Sequence, residues 1–335
     1  MMQHLIDEIE QTKHRPRACV VTRKLHHDML ARLQQALTLG ALIVATLWAW
    51  LCLQAGHAGW AAAGASAILL GYAAVLALEM LMLRWAHDDD PAPRASAAAL
   101  FRAWLGEVVS APIVFCWRQP FRSQRWPDLL PTHAQGQRGV VLIHGLVCNR
   151  GLWNPWLKRL TVKQTPFVAI NLEPVFGSID DYVPIIDHAV RAMHSSTGLA
   201  PVVVAHSMGG LALRRWWVQP GNDQRVLHAV TIGTPHHGTW LARWAMTRNT
   251  RQMQQGSHWL TLLAQHEPAS RASRFTCFYG HCDNIVFPPS TATLAGADNR
   301  LLTAVAHVHM ADRSEPFDEL QRWLDAPASA QFEGD

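Results

Sequence analysis

The chain has 335 residues, of which 49% are hydrophobic and only 16% charged, with a formal net charge of +4 that leaves 19 histidines uncounted. That balance is too mild for a nucleic-acid binder, and no Lys/Arg-rich run is present to follow a phosphate backbone. The charged share lies well below the roughly one quarter usual in soluble domains, so part of the chain avoids water. The length allows one large domain and a smaller appendage.

The N-terminal segment 1–35 is basic, carrying Lys13, Arg15, Arg17, Arg23, Lys24 and Arg32. It leads into ALTLGALIVATLWAWLCLQA, Ala36 to Ala55, which has no charged residue. After Gly56-His57-Ala58-Gly59 comes WAAAGASAILLGYAAVLALEMLML, Trp60 to Leu83. Each run has the roughly 20-residue length that crosses a bilayer as a helix, and a helix satisfies its own backbone there. Segment 36–84 therefore reads as a two-helix transmembrane hairpin. Trp48, Trp50 and Trp60 stand near the link, where amphipathic rings favour the interface. Gly64, Ser66 and Gly71 let the two helices approach closely. The first run begins too far into the chain, and lacks the small-residue site, to be a cleaved signal peptide.

Orientation follows from the flanks. Arg84, Arg94 and Arg102 follow the hairpin, basic residues precede it, and the link carries neither Lys nor Arg. Basic residues stay on the cytoplasmic side, so both ends are expected in the cytoplasm, at an inner or plasma membrane. Glu79, near the end of the second helix, is expected to reach Arg84 or the lipid headgroups rather than to serve transport.

Segment 85–130 is read as a linker and a surface or docking helix. DDDPAP, Asp88 to Pro93, is polar and proline-bearing. Ala95 to Trp117 is helical and partly apolar, with a break expected at Pro120. It either lies on the membrane surface or docks the domain that follows.

From 131 to 327 the pattern changes, with a tail at 328–335. Gly139–Ile143, Phe167–Ile170, Pro201–Ala205, Val226–Ile232 and Phe275–Tyr279 are short apolar, β-branched runs, each followed by a polar or glycine turn. They read as buried strands of a mostly parallel α/β sheet. Ligands of such sheets bind beyond the carboxyl ends of the strands, so the chemistry is expected just after these runs.

The strongest motif is Ala205-His206-Ser207-Met208-Gly209-Gly210, between a strand and the helical pattern Leu211–Trp216. It matches the nucleophile elbow G-x-S-x-G, with Ala205 for the first glycine. The turn is tight, so the residues two positions either side of the serine must be small. Acyl transfer also needs two preorganised N–H donors for the oxyanion. The Met208 N–H is one, and the Leu146 N–H, in the His144-Gly145-Leu146 loop, is the second. His144 is expected to orient that loop.

The pieces VVLIHGL, AHSMGGL and TIGTPHHGT, in this order, resemble the lipase/esterase branch of the α/β-hydrolase superfamily, including bacterial triacylglycerol lipases. The resemblance spans about Gly139 to Leu324. It implies an α/β-hydrolase fold preceded by the two transmembrane helices, ester hydrolysis through an acyl-enzyme, and no cofactor. It implies the order Ser, acid, His, hence Asp283 as the acid, since it follows a late strand. Asp180 and Asp181 lie upstream of Ser207 and are expected to cap a helix. The base is His307 or His309; Ala306-His307 is the closer match to the family's Gly-His.

Other clusters are read more plainly. His236 and His237 are adjacent and point apart, so no metal is expected between them. The cysteines Cys19, Cys52, Cys116, Cys148, Cys277 and Cys282 are scattered and read as free thiols. Cys277 and Cys282, with His281 between them, lack the second ligand pair of a zinc site. Residues 240–270, rich in Trp, Leu and Met between basic residues, are either a cap over the site or surface helices.

The expected function is a membrane-anchored serine ester hydrolase on acyl esters or lipids, with the bilayer as partner. An acyltransferase or thioesterase with the same three residues is the alternative among enzymes. A non-catalytic membrane scaffold on a hydrolase fold is the alternative outside them.

Overall fold

The computed structural model describes residues 29–131 and 134–327. Most of the basic segment and the whole 328–335 tail, together with Cys19, lie outside the described residues.

The chain begins with α1 (Met29–Gln54) and α2 (Ala58–Trp85). They pack as a hairpin in which Trp48 Nε1 donates to the Trp60 carbonyl across the link, at 2.8 Å. Gly64 is required by this contact, because a Cβ there would meet the Trp48 ring at 1.8 Å. Both helices are long and apolar enough to cross a membrane.

A third helix, α3 (Ala97–Arg122), also meets that criterion. It runs on through Pro120, where the sequence predicts a break, and ends at Arg122. Ser96 caps its start, accepting the Ala99 N–H. Pro112 lies inside it and is followed by a π-helical stretch, Ile113–Arg118. Proline removes one helical N–H and crowds the carbonyl four residues back, here that of Val108. That carbonyl accepts from the Tyr72 hydroxyl of α2 at 2.7 Å. A partner from a neighbouring helix is how proline is tolerated within apolar helices.

The rest of the described chain is built on six parallel strands: β1 (Val140–Ile143), β2 (Phe167–Ile170), β3 (Val202–His206), β4 (His228–Ile232), β5 (Phe275–Gly280) and β6 (Asp298–Leu302), in the order β2-β1-β3-β4-β5-β6. The helices are α4 (Asn154–Val162), α5 (Val183–Thr197), α6 (Met208–Trp217), α7 (Arg248–Gln252), α8 (His258–His266) and α9 (Ser314–Leu324).

Side chains alternate across a strand, and the central strands are apolar on both faces. Val141, Ile143, Val203 and Ala205 point to one core, shared with Ile186 and Val190 of α5 and Leu211 and Trp216 of α6. Val140, Leu142, Val202 and Val204 point to the other, shared with Trp156 and Leu160 of α4 and Phe317 and Leu320 of α9. Helices thus cover both faces, the arrangement parallel sheets require. The edge strand β6, Asp-Asn-Arg-Leu-Leu, is exposed at Asp298 and Asn299 and buried at Leu302.

A third apolar cluster joins the two parts. Met80, Leu83 and Ala86 at the end of α2, and Ala99 and Ala103 of α3, pack on Cys282, Phe287 and Ala306. At its other end α3 meets the start of α1, where Gln34 Nε2 donates to Gln119 Oε1 at 3.0 Å.

Candidate active site

Ser207 stands between β3 and α6 with φ +55° and ψ −131°. Such a left-handed backbone is unfavourable for a residue with a Cβ and persists where the surroundings impose it. Its hydroxyl makes no capping bond to the helix it precedes, so it is not held there as a helix cap. Small residues are needed around it. A Cβ on Gly209 would lie 2.5 Å from the His144 carbonyl oxygen, and one on Gly210 would run into Thr234. A Cβ on Gly145 would lie 2.7 Å from the Ser207 Cβ, so the loop after β1 is pressed directly against the serine. Met208 opens α6, where N–H groups have no intrahelical acceptor. Leu146 follows Gly145 in the turn after β1.

The loops after β5 and β6 bring Asp283 and His307 together. His307 Nδ1 lies 3.0 Å from Asp283 Oδ2. The other oxygen, Oδ1, accepts the backbone N–H groups of Ile285 (2.9 Å) and Val286 (2.8 Å), which fixes the carboxylate. Both residues are buried. Gly233, after β4, is packed on this pair; its φ is +55°, and a Cβ would lie 3.1 Å from both Asp283 Oδ2 and His307 Nδ1. His206, the residue before Ser207, donates from Nε2 to the His307 carbonyl at 3.1 Å. The two rings are 4.7 Å apart between centroids, so the residue preceding Ser207 packs against His307.

Burial alone would depress the His307 pKa. The Asp283 charge, its hydrogen bond to Nδ1, and the carboxylates of Glu107 and Glu79 outweigh that burial, and the pKa is raised above the ordinary 6.5. An imidazole whose Nδ1–H is held by a carboxylate presents Nε2 as a proton acceptor.

His309 is placed differently. Its ring rests on α3, where a Cβ on Gly106 would lie 2.4 Å from His309 Nδ1. That nitrogen is buried with no hydrogen-bond partner among the described residues. Burial and Arg313 lower its pKa.

Three residues at the site carried no signal for this role in the motifs. Asn284 Oδ1 accepts the His307 N–H at 3.1 Å, and its Nδ2 donates to Glu79 Oε2 of α2 at 2.6 Å. Glu79 therefore faces Asn284, not Arg84 or the headgroups, because the end of α2 is packed on the Asp283 loop. Glu107 of α3, only 1% exposed, accepts from Val308 N and His309 N at 3.0 Å each. A lone carboxylate in an apolar helix is the sequence signal that points to such a residue.

The remaining candidates occupy supporting positions. His144 accepts the Leu172 N–H at Nε2 (3.0 Å), and its Nδ1 lies 2.8 Å from the Gly145 carbonyl. This defines a neutral, Nδ1–H imidazole that ties the β1 loop to the β2 loop. Burial lowers its pKa to about 4. His236 faces Thr231 and Cys277, whereas His237 bonds through its backbone to Thr291. No group of three His, Cys, Asp or Glu is placed to hold a metal ion among the described residues. Ser178 and Asp181 form a capping box, while Asp180 pairs with Arg215 at 2.5 Å. Segment 240–270 forms a 3₁₀ turn, Trp240–Trp244, then α7 and α8. It is bonded to the 175–182 segment through Asn249 and Gln252, and Trp240 meets Trp85 of α2 edge-on at 5.6 Å. Trp244 and Met246 are exposed, Met246 at 87%.

No protein-family model matches the chain, and no curated protein matches its sequence. Solved structures do. A Bacillus licheniformis lipase in its mature form superposes with a TM-score of 0.50 at 18% identity, over 58% of this chain and 95% of the lipase. Its propeptide form gives the same TM-score and identity over 60% of this chain and 53% of its own length. Lipase B of Aspergillus fumigatus superposes at 0.48, with 19% identity, over 57% and 54%. At this identity the likeness is one of fold: the chain has an α/β-hydrolase fold, preceded in sequence by three apolar helices.

Proposed function

We propose that the chain is a membrane-anchored serine ester hydrolase, lipase- or carboxylesterase-like, in which Ser207 attacks an acyl ester. His307 takes the serine proton through Nε2, and Asp283 holds the imidazole and favours its charged form. The Met208 and Leu146 N–H groups stabilise the tetrahedral oxyanion. His307 then protonates the leaving alcohol, and a water activated by the same imidazole releases the acid from the acyl-enzyme. No cofactor takes part. The observation that carries this reading is the bonded Asp283–His307 pair packed on His206, which is followed directly by a serine held at φ +55° between strand and helix. The solved lipase with the same fold supports an ester or lipid as substrate. The catalytic unit is assigned to 131–327.

The anchor is assigned to α1 and α2, with α3 lying in the interface. Both ends of α3 meet the open end of the hairpin, at Leu83 and at Gln34, which argues against a third crossing. Its outer side exposes Phe101, Leu105, Val109, Ile113 and Trp117, a stripe at near-helical spacing that fits an acyl boundary. Two crossings leave the N-terminal segment and the catalytic unit on one side. The basic flanks make that side cytoplasmic, at an inner or plasma membrane.

The test is hydrolysis of an ester panel of increasing acyl length by the full chain and by Ser207→Ala. The reading predicts turnover on at least one acyl class, lost in the variant. Transfer to an acceptor alcohol or thiol in place of water would favour the acyltransferase alternative. Equal turnover by wild type and Ser207→Ala would overturn the assignment.

A further inference from the structure

Two carboxylates of the apolar helices reach the loops that carry Asp283 and His307. An ionisable group in such a helix is costly unless it has a partner, and both have one. Glu107 uses one oxygen for the Val308 N–H and the other for the His309 N–H. Glu79 accepts from the Asn284 amide, which in turn accepts the His307 N–H. The backbone N–H groups of three consecutive residues, starting at His307, therefore end on α2 and α3, one through Asn284 and two directly. The apolar seam has the same address. Cys282 and Ala306, which pack on Met80, Leu83, Ala99 and Ala103, immediately precede Asp283 and His307.

We propose that Glu79 and Glu107 are positioning residues for His307, so that the apolar helices form one wall of the active site as well as its anchor. This rests on the reading of Ser207, His307 and Asp283 as a catalytic triad. The two carboxylates fix the backbone that aims the imidazole. Burial raises the Glu107 pKa to about 7; once ionised, its charge, with that of Glu79, favours the imidazolium formed when His307 accepts the serine proton. The other titratable groups facing His307 are Asp283, bonded to Nδ1, and His206, whose ring lies beside it. His309 meets Glu107 through its backbone only.

The experiment uses the full chain in liposomes and four proteins: wild type, Glu107→Gln, Glu79→Gln and the double variant. Ester hydrolysis and the rate of fluorophosphonate labelling at Ser207 are followed from about pH 5 to 9, a range that brackets the ordinary histidine pKa. Positioning predicts that each single variant lowers kcat about tenfold or more and leaves KM within about twofold. Removing a negative charge beside an imidazolium lowers its pKa, so the acid limb of the rate profile moves to lower pH by about half a unit or more. The double variant moves it further. A lower melting temperature with an unmoved acid limb and an unchanged kcat would overturn the proposal. Should Glu107→Gln not fold, Glu79→Gln alone decides by the same readings. Absence of labelling in folded wild type would instead overturn the triad itself. Labelled wild type with variants of wild-type rate and profile would overturn the positioning role alone.

Discussion

His307 Nδ1 and Asp283 Oδ2 are 3.0 Å apart, and the second oxygen of Asp283 is held by two backbone N–H groups. A carboxylate so fixed accepts from Nδ1–H and selects the tautomer with Nε2 free. In Asp283→Asn an amide replaces it. The backbone N–H groups of Ile285 and Val286 demand the amide oxygen, which turns the NH₂ toward His307. The imidazole then flips to the wrong tautomer. A fall in kcat of about 10³- to 10⁴-fold is expected, with the fold retained. Steady-state kinetics and circular dichroism of the variant check this.

The pH profile follows from the same pair. Burial opposes a charged His307, but Asp283, Glu107 and Glu79 together raise its pKa above 6.5. The protonated ring cannot accept the serine proton. Activity is therefore absent at low pH and rises as pH passes through the raised value, so the acid limb of kcat/KM lies above 6.5, on the alkaline side of a free histidine. An acid limb at or below 6.5 would contradict this assignment of charges around the ring.

The two histidines near the C-terminus separate by position. His307 is bonded to Asp283, whereas the His309 ring is stacked against Gly106 of α3. His307→Ala is expected to lower kcat by at least about 10³-fold, and His309→Ala by less than about tenfold, through lost packing alone. Side-by-side kinetics of the two variants decide it, and the reverse order would transfer the base to His309.

The Tyr72 hydroxyl takes up the carbonyl that Pro112 leaves without a helical donor. Tyr72→Phe keeps the ring and strands that carbonyl. A loss of about 1 to 3 kcal/mol is expected for an unsatisfied buried acceptor. Thermal unfolding of the full chain in detergent reads it as a lowered Tm, and the double substitution with Pro112→Ala restores most of the loss. An unchanged Tm would mean that the carbonyl finds another partner.

The central strands were legible because β1 to β5 are buried on both faces and read as unbroken apolar runs. The edge strand β6 was not, since its exposed Asp298 and Asn299 follow no burial pattern. The elbow was legible because its strain forces small residues at fixed offsets from Ser207. The end of α3 was not: Pro120 signals a break, yet the helix runs on to Arg122, and the Tyr72 hydroxyl that relieves Pro112 within it comes from another helix. The roles of Glu79 and Glu107 were equally hidden. Glu79 meets its partner 205 residues further along the chain, and no local spacing encodes such a contact.

The central claim is that Ser207 is an activated nucleophile. The most direct measurement is covalent labelling of the full chain by a fluorophosphonate probe, with the modified residue located by mass spectrometry. The account predicts one label per wild-type chain, on Ser207, and none in a folded Ser207→Ala. Persistent labelling of Ser207→Ala, or a folded wild type that takes up no label, would contradict it.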